Sequence, residues 1–293
     1  MSRTTWPRMI LLPGVLALAG LFLSTSVVRA GENKGKISLS AGVDFPTAYF
    51  FRGILQEDGG FFAQPYGDIT FNLYEGEKGL NSVGATLGLW NSFQTNSPIP
   101  EPSDPTGWYE TDLYGGFTVG FLDNWEVGVT YTAYISPNNS FESTQEISFS
   151  LSFDDSELLG AFALSPQILI AVEMQGGGAD AQRPLGTYFQ LGVEPGLTVI
   201  ESEKYPVRLS LPLTLGLSLS NYYQDPVTGD DSTFGYFDLG LKLSVPLAFI
   251  PADFGSWEAY AKGDFLFLGS SLEAINNDED FQAIATIGVS LSY

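Results

Sequence analysis

The chain contains no cysteine and no histidine. The first absence excludes disulfides, thiolate metal sites and cysteine nucleophiles. The second excludes imidazole ligands, histidine general bases and the Ser-His and Cys-His pairings of most hydrolases. Positive charge is also scarce. Twelve Lys plus Arg stand against 34 Asp plus Glu, a net charge of −22 with a pI near 4.1, so there is no basic footprint for nucleic acid. Charged residues of both signs make up 16% of the 293 residues, against roughly 25% in an average soluble domain. Beyond the first thirty residues no apolar run is long enough to cross a bilayer as a helix. Glycine, at 33 residues, and aromatic side chains, at 14%, are plentiful instead. A chain of this length can bury a large core as one domain or two small ones, and its composition fits an exported or membrane β-protein.

The amino-terminal segment supports export. Arg3 and Arg8 precede an apolar run from Met9 to Leu23, and Val28-Arg29-Ala30 supplies a small-residue cleavage pattern. This is the plan of a secretory signal peptide over residues 1–30, leaving residues 31–293 as the mature domain. Pro13 and the shortness of the run argue against a retained spanning helix. If the mature domain lies in a membrane it must be a closed barrel, since lipid offers no partner to an open sheet edge.

From Lys36 onward one pattern repeats: about ten residues of alternating character, then a turn. Ile37, Leu39, Ala41, Val43 and Phe45 fall on one face of the first segment, with Ser38, Ser40, Gly42 and Asp44 on the other. Twelve such segments begin near Lys36, Gln64, Ser82, Trp108, Trp125, Gln145, Gln167, Thr187, Pro206, Tyr236, Trp257 and Phe281. The fold expected is all-β, a single antiparallel transmembrane barrel of 12 strands with both termini periplasmic. Its connections alternate between compact ones, around Gly76, at Leu122-Asp123-Asn124 and around Glu201, and longer ones, such as Gln94 to Gly107 with four prolines. The stretches Asp154 to Leu164 and Pro246 to Ser256 are long for periplasmic turns, and Pro137-Asn138-Asn139 is short for an outer loop.

The charges keep to one parity. Asp44, Asp68, Glu110, Asp112, Glu126, Glu146, Glu173, Glu194, Arg208, Asp238, Lys242, Glu258, Lys262 and Asp264 are expected with the Ser, Thr and Gly positions, away from Leu, Val, Phe and Ala. A soluble barrel with an apolar interior would give the same alternation with the opposite meaning. Low overall charge, a polar face built of Gly, Ser and Thr, and aromatics at strand ends (Tyr74, Phe121, Trp125, Trp257, Tyr293) favour the membrane form. The polar parity then lines the lumen and is strongly acidic, a field that attracts cations. Near the outer mouth, Arg52 and Gln56 continue the Asp44 parity beyond Phe45, and Gln64, Glu110 and Glu146 start descending strands at similar depth. Arg52 is placed to bridge Glu110 or Glu146, either as a stiffening network or as part of a ligand site.

These residues carry a resemblance. Tyr49-Phe50-Phe51-Arg52-Gly53-Ile54-Leu55-Gln56, followed by Gln64, resembles the "YRGISQ…Q" opening of the Gcw-chp family, exported bacterial proteins of unknown function. Tyr109-Glu110-Thr111-Asp112-Leu113-Tyr114-Gly115-Gly116, Val127-Gly128-Val129-Thr130-Tyr131 and Glu146 are similar to its later "E-x-D-x-Y-x-G", "GV-x-Y" and single Glu. The likeness covers about the first half of the mature chain and departs at Leu55, where the family favours Ser. It implies an outer-membrane-like barrel and brings no activity or substrate.

Two functions compete on these residues. One is a pore for passive uptake of small hydrophilic neutral or cationic solutes, with Tyr114, Tyr134, Tyr188, Tyr236 and Tyr260 available to stack on sugar or base rings. The other is a closed barrel with a structural or surface-interaction role through acidic outer loops. An enzyme resting on a carboxylate pair such as Glu110 with Glu146 is a poor third. No cofactor is assigned. The acidic runs Asp225, Asp230, Asp231 and Asn277, Asp278, Glu279, Asp280 lack the spacing of a calcium loop, and no metal is assigned. The partners expected are outer-membrane lipid and lipopolysaccharide, a small solute, and the barrel-assembly machinery, through a last strand ending in Tyr293.

Overall fold

The computed structural model describes residues 35–95, 107–181 and 184–293. The leader expected over residues 1–30 lies outside the described residues, as do residues 96–106 of the proline-rich connection. The first half contributes β1 (Ile37–Pro46), β2 (Tyr49–Phe51), β3 (Ile54–Glu57), β4 (Phe62–Lys78), β5 (Leu80–Gln94), β6 (Trp108–Phe121), β7 (Trp125–Ile135) and β8 (Thr144–Phe153). The second contributes β9 (Gln167–Gln175), β10 (Thr187–Val193), β11 (Gly196–Ile200), β12 (Val207–Ser210), β13 (Leu213–Ser220), β14 (Phe234–Pro246), β15 (Ser256–Leu268) and β16 (Phe281–Ser292). Two short helices, α1 (Ser156–Leu159) and α2 (Ser270–Ile275), sit in connections.

Neighbours in sequence pair antiparallel around the wall, and β1 closes it by pairing with both β4 (Asp44 opposite Gln64) and β16 (Asp44 opposite Gly288). β10 with β11, and β12 with β13, are each one wall strand broken at a proline, Pro195 and Pro212, which cannot donate to the ladder. Counted so, the barrel has 12 strands, beginning where the alternation places them. β2 and β3 pair only with each other. The turn between β4 and β5 falls at Gly79, with φ +72°, three residues beyond the position expected at Gly76. Register shifts between Asn72 and Lys78 account for the displacement, because bulges lengthen the strand without changing its alternation elsewhere.

One end of the barrel carries both described chain ends and the connections at 79, 122–124, 154–166, 201–206 and 247–255; we call it the terminal end. The far end carries 47–61, 136–143, 221–233 and 269–280, the described residues 176–181 and 184–186, and residues 95 and 107.

Apolar side chains cover the outside. Leu87, Leu89, Leu113, Phe117, Phe149, Leu239, Leu241, Leu243 and Ile287 are all exposed although they lie within strands. Aromatic residues ring both margins of this band. Tyr74, Trp125 and Tyr293 lie towards the terminal end, and Phe61, Phe93, Trp108, Phe267 and Phe281 towards the far end, where Phe93 stacks on Trp108 at 5.6 Å. An apolar belt between aromatic girdles, enclosing a polar interior, is the surface of a barrel solvated by lipid. Among the described residues, segregation by parity breaks on β9, on β15 and at Ile284 of β16, which faces inward opposite Asp264. Leu169 and Ala171 point inward with Glu173 on β9, as do Leu266 and Leu268 with Asp264 on β15, because the interior at those positions is filled by protein.

Inside, tyrosines lie flat on the wall. A Cβ on Gly88 would fall 2.3 Å from the Tyr114 ring, one on Gly216 2.2 Å from the Tyr236 ring and one on Gly288 2.4 Å from the Tyr260 ring. Each ring occupies the space a side chain on the neighbouring strand would take, so the glycines keep these three rings against the wall.

Candidate functional site

The site begins where β1 stops at Pro46. The chain turns into the barrel as a hairpin, β2 and β3, joined by Arg52 and Gly53, which have φ of 49° and 81°. A two-residue hairpin turn with both central φ positive is the form matching strand twist. Glycine adopts it freely, whereas arginine does so only when other contacts hold it. Arg52 therefore stands at the tip of an inserted hairpin. It does not lie on the wall at the mouth, as continued parity of the first strand would place it. Pro46 and the turn at Arg52-Gly53 interrupt that parity.

Several contacts hold the tip. Arg52 makes a two-pronged ion pair with Glu146 of β8, Nη1 to Oε2 at 2.7 Å and Nη2 to Oε1 at 2.8 Å. Nη1 also donates to the Tyr222 hydroxyl at 2.7 Å, and the guanidinium lies 4.3 Å from the Tyr188 ring centre. Tyr134 donates to Glu146 at 3.1 Å, and Tyr223 donates to the Arg52 carbonyl at 2.9 Å. Both charges are removed from water, with 5% of Arg52 and 1% of Glu146 accessible. Such a pair is tolerable only because its other hydrogen-bonding positions are filled. Asn276, after α2, fastens the turn from above: its Nδ2 donates to the Gly53 carbonyl at 2.7 Å and its Oδ1 accepts from the Leu55 amide at 2.8 Å.

The hairpin meets the wall on opposite sides. Tyr49 and Phe51 pack with Phe62, Tyr66, Trp90, Tyr109 and Tyr134, while Ile54 packs with Leu169, Tyr188, Tyr223, Tyr236, Leu266 and Leu272. At this level the lumen is filled.

Of the cluster expected at the mouth, four residues come together and one does not. Arg52 chooses Glu146. Glu110 instead accepts from the Tyr49 hydroxyl at 2.8 Å, and Gln56 accepts from Tyr109 at 2.8 Å, so both secure the hairpin's stem. Gln64 sits opposite Asp44 on the wall, and its Nε2 has no protein partner. Asp112 lies one inward position from Glu110. Glu173 clasps the 176–186 connection, accepting from the Ala179 amide at 2.6 Å and the Gly186 amide at 2.7 Å. Glu110 and Glu146 are thus each engaged by the hairpin and form no acid–base pair.

Towards the terminal end the lining is polar, half-buried at most positions and buried at Asp44, Glu258 and Asp264. Asp44, Asp68, Glu126, Glu194, Arg208, Asp238, Lys242, Glu258, Lys262 and Asp264 belong here, seven carboxylates and three cations. Lys262 reaches Asp264 at 2.8 Å and retains 20% of its side-chain surface inside the barrel. Lys242 pairs with Glu258 at 3.5 Å and lies 4.3 Å from the Tyr260 ring centre, while the Tyr260 hydroxyl bonds Asp44. The Arg208 guanidinium lies over Gly196, where a Cβ would fall 2.6 Å from Nη2. Among the described residues no group of three or more acidic side chains is arranged to hold a metal ion. In the far-end connection 221–233, Asp225 accepts from the amides of Val227 and Thr228, each at 2.8 Å, and the Thr228 amide above all holds its carboxyl below the usual range. It caps its own loop.

Tyr222, Tyr223, Asn276 and Leu272 escape sequence reading as parts of the plug. Two adjacent tyrosines in an otherwise acidic, solvated connection were the available signal, since such rings seek burial. Asn276, beside Asn277 and Asp278, offered none.

No protein-family model and no curated protein matches the chain. Among solved structures it is similar to the NanC porin, with 10% identity and a TM-score of 0.45 over 86% of this chain and 98% of that one. It is also similar to an outer membrane channel from Pseudomonas putida F1, with 9% identity and a TM-score of 0.47 over 97% and 100%. A third similar structure is the β domain of the Bordetella autotransporter BrkA, with 12% identity and a TM-score of 0.42 over 87% and 98%.

Proposed function

We propose that the chain is a Gram-negative outer-membrane pore for small hydrophilic solutes, neutral or cationic, held closed by its own first connection, with the terminal end in the periplasm. The observation that carries this reading is the contrast along the lumen. The terminal-end half is lined by polar and charged side chains, most of them half-buried, with Tyr260 kept on the wall by glycine, while the aromatic and aliphatic packing gathers around the hairpin. A barrel meant only as a rigid peg has no need of that contrast. Seven carboxylates against three cations along this half would favour cations over anions once water fills it. Lipid and lipopolysaccharide surround such a barrel, and the assembly machinery would engage its last strand at Tyr293. The residues that carry the Gcw-chp resemblance include Arg52, Gln56, Glu110 and Glu146, which lie together in the plug; this supports reading the chain as a member of that family.

One observation favours the closed, structural reading: the hairpin packs wall to wall around a buried ion pair. Planar-bilayer recording separates the two. Wild-type protein is expected to stay closed most of the time, and Arg52→Ala, which removes the tip's anchor, to give long-lived steps that prefer cations under a salt gradient. A folded Arg52→Ala barrel that carries no current would sink the pore reading.

A further inference from the structure

We propose that the wall of β5, β6 and β7 beneath the hairpin is a binding site for a neutral polyhydroxylated solute, a sugar in chemical class. The inference rests on the pore reading for the route by which the solute arrives. Trp90 of β5 stands directly opposite Asp112 of β6, and Tyr114 of β6 directly opposite Thr132 of β7. The four side chains therefore occupy neighbouring positions on three adjacent strands, all on the lumen side. Each is more than nine-tenths buried, and each ends in an atom with no protein partner: Trp90 Nε1, Asp112 Oδ1, Tyr114 OH and Thr132 Oγ1. Ser92 Oγ, one inward position along β5 from Trp90, is in the same state.

Buried polar atoms without partners are uncommon, and several in one patch call for a reason. The hairpin does not supply one. Its Tyr49 ring covers Trp90 at 5.3 Å, but the Tyr49 hydroxyl is committed to Glu110 and gives the indole N–H nothing. The hairpin's own polar contacts go elsewhere, to Glu146, Tyr109 and Asn276. It thus lies over a surface whose hydrogen-bonding capacity it leaves unused.

The chemistry of that surface selects the ligand. It offers one obligate donor, the unpartnered oxygen of Asp112, whose carboxyl also hydrogen-bonds Glu110, and two hydroxyls that serve as either, beside the ring faces of Trp90 and Tyr114. A cation would answer Asp112 and leave the Trp90 N–H facing like charge. An anion would meet the acidic pair of Asp112 and Glu110, which share a hydrogen bond, with Glu146 nearby. Sugar hydroxyls donate and accept together, and the C–H face of a sugar ring packs on an aromatic face, so one ligand satisfies all four atoms. With the hairpin withdrawn, the solute takes the place of Tyr49 against Trp90.

The test uses otherwise intact Arg52→Ala protein in planar bilayers, with glucose and then maltotriose added to the bath. The result expected is a saturable, reversible fall in current. Its midpoint should rise about tenfold when Thr132→Val or Asp112→Ala is added, one interaction of about 1.4 kcal/mol, and stay in place for Ser150→Ala on β8 outside the patch. No sugar effect on an open channel, or unchanged midpoints in both patch variants, would overturn the site and leave the pore standing. If Arg52→Ala carries no current, the pore reading fails alone. The site is then decided in detergent: maltotriose must shift the tryptophan emission of Arg52→Ala protein, and the shift must vanish with Trp90→Phe. An emission spectrum indifferent to sugar would overturn it.

Discussion

Glu146→Ala is expected to expel the hairpin from the barrel and make Arg52 accessible to trypsin. In the wild type the guanidinium is held at 2.7 and 2.8 Å by both carboxylate oxygens and only 5% of the residue is accessible, so a protease has no purchase there. Removing Glu146 strands a positive charge among Phe51, Tyr188 and Tyr222, and uncompensated buried charges of this kind cost about 3–5 kcal/mol. The ring faces return up to about 2 kcal/mol of that, and the strained φ of Arg52 adds to what remains. A charge buried within a wall strand would destabilise the whole fold. The hairpin has a cheaper course, because β2 and β3 pair with no wall strand and can leave together. The cost therefore emerges as local opening, with the barrel intact. Limited proteolysis should give a fragment ending at Arg52 from Glu146→Ala and none from the wild type, while circular dichroism reports the same sheet content. Glu146→Gln, which keeps an acceptor for Arg52, should fall between. An uncut Arg52 in Glu146→Ala would mean that the aromatic cage and Asn276 hold the tip unaided.

The plug also marks where sequence reading stops. The wall was legible because a transmembrane strand has two environments and a period of two, so the 12 wall strands, from Ile37–Pro46 to Phe281–Ser292, could be counted and their ends placed to within a few residues. The ion pair between Arg52 and Glu146 was legible as one of two options, since a lone arginine amid inward carboxylates must find a partner. The hairpin that delivers Arg52 was not. Its strands of three and four residues are too short to show periodicity, and an arginine with φ of 49° is not a residue that advertises a turn. Nor could alternation distinguish the inward Leu169 and Leu266 from lipid-facing leucines, because a plugged interior is as apolar as a membrane where the plug touches it. The same cause hid Tyr222 and Asn276: their roles depend on contacts 170 and 223 residues away in the chain.

Leu241→Arg is expected to cost about 2–4 kcal/mol of folding stability in a bilayer, the range for arginine facing the hydrocarbon midplane. Leu241 lies midway along β14, points outward, and is flanked by the inward Gly240 and Lys242. Ile200→Arg is the matched control. It replaces an exposed apolar residue at the last position of β11, at the terminal end, where an arginine side chain reaches the headgroups and the cost falls to about 0–1 kcal/mol. Urea titration of folding into lipid vesicles, followed by tryptophan emission, measures both. The contrast between the two positions matters more than either value. The alternation of polar and apolar residues is shared by membrane barrels and water-soluble ones, and only the solvent outside gives it a sense. In water an exposed leucine changed to arginine moves stability within about 0.5 kcal/mol wherever it lies on the surface. A depth-dependent penalty, large at Leu241 and small at Ile200, is what lipid imposes. Equal small losses at both would mean that the apolar face of this barrel meets water.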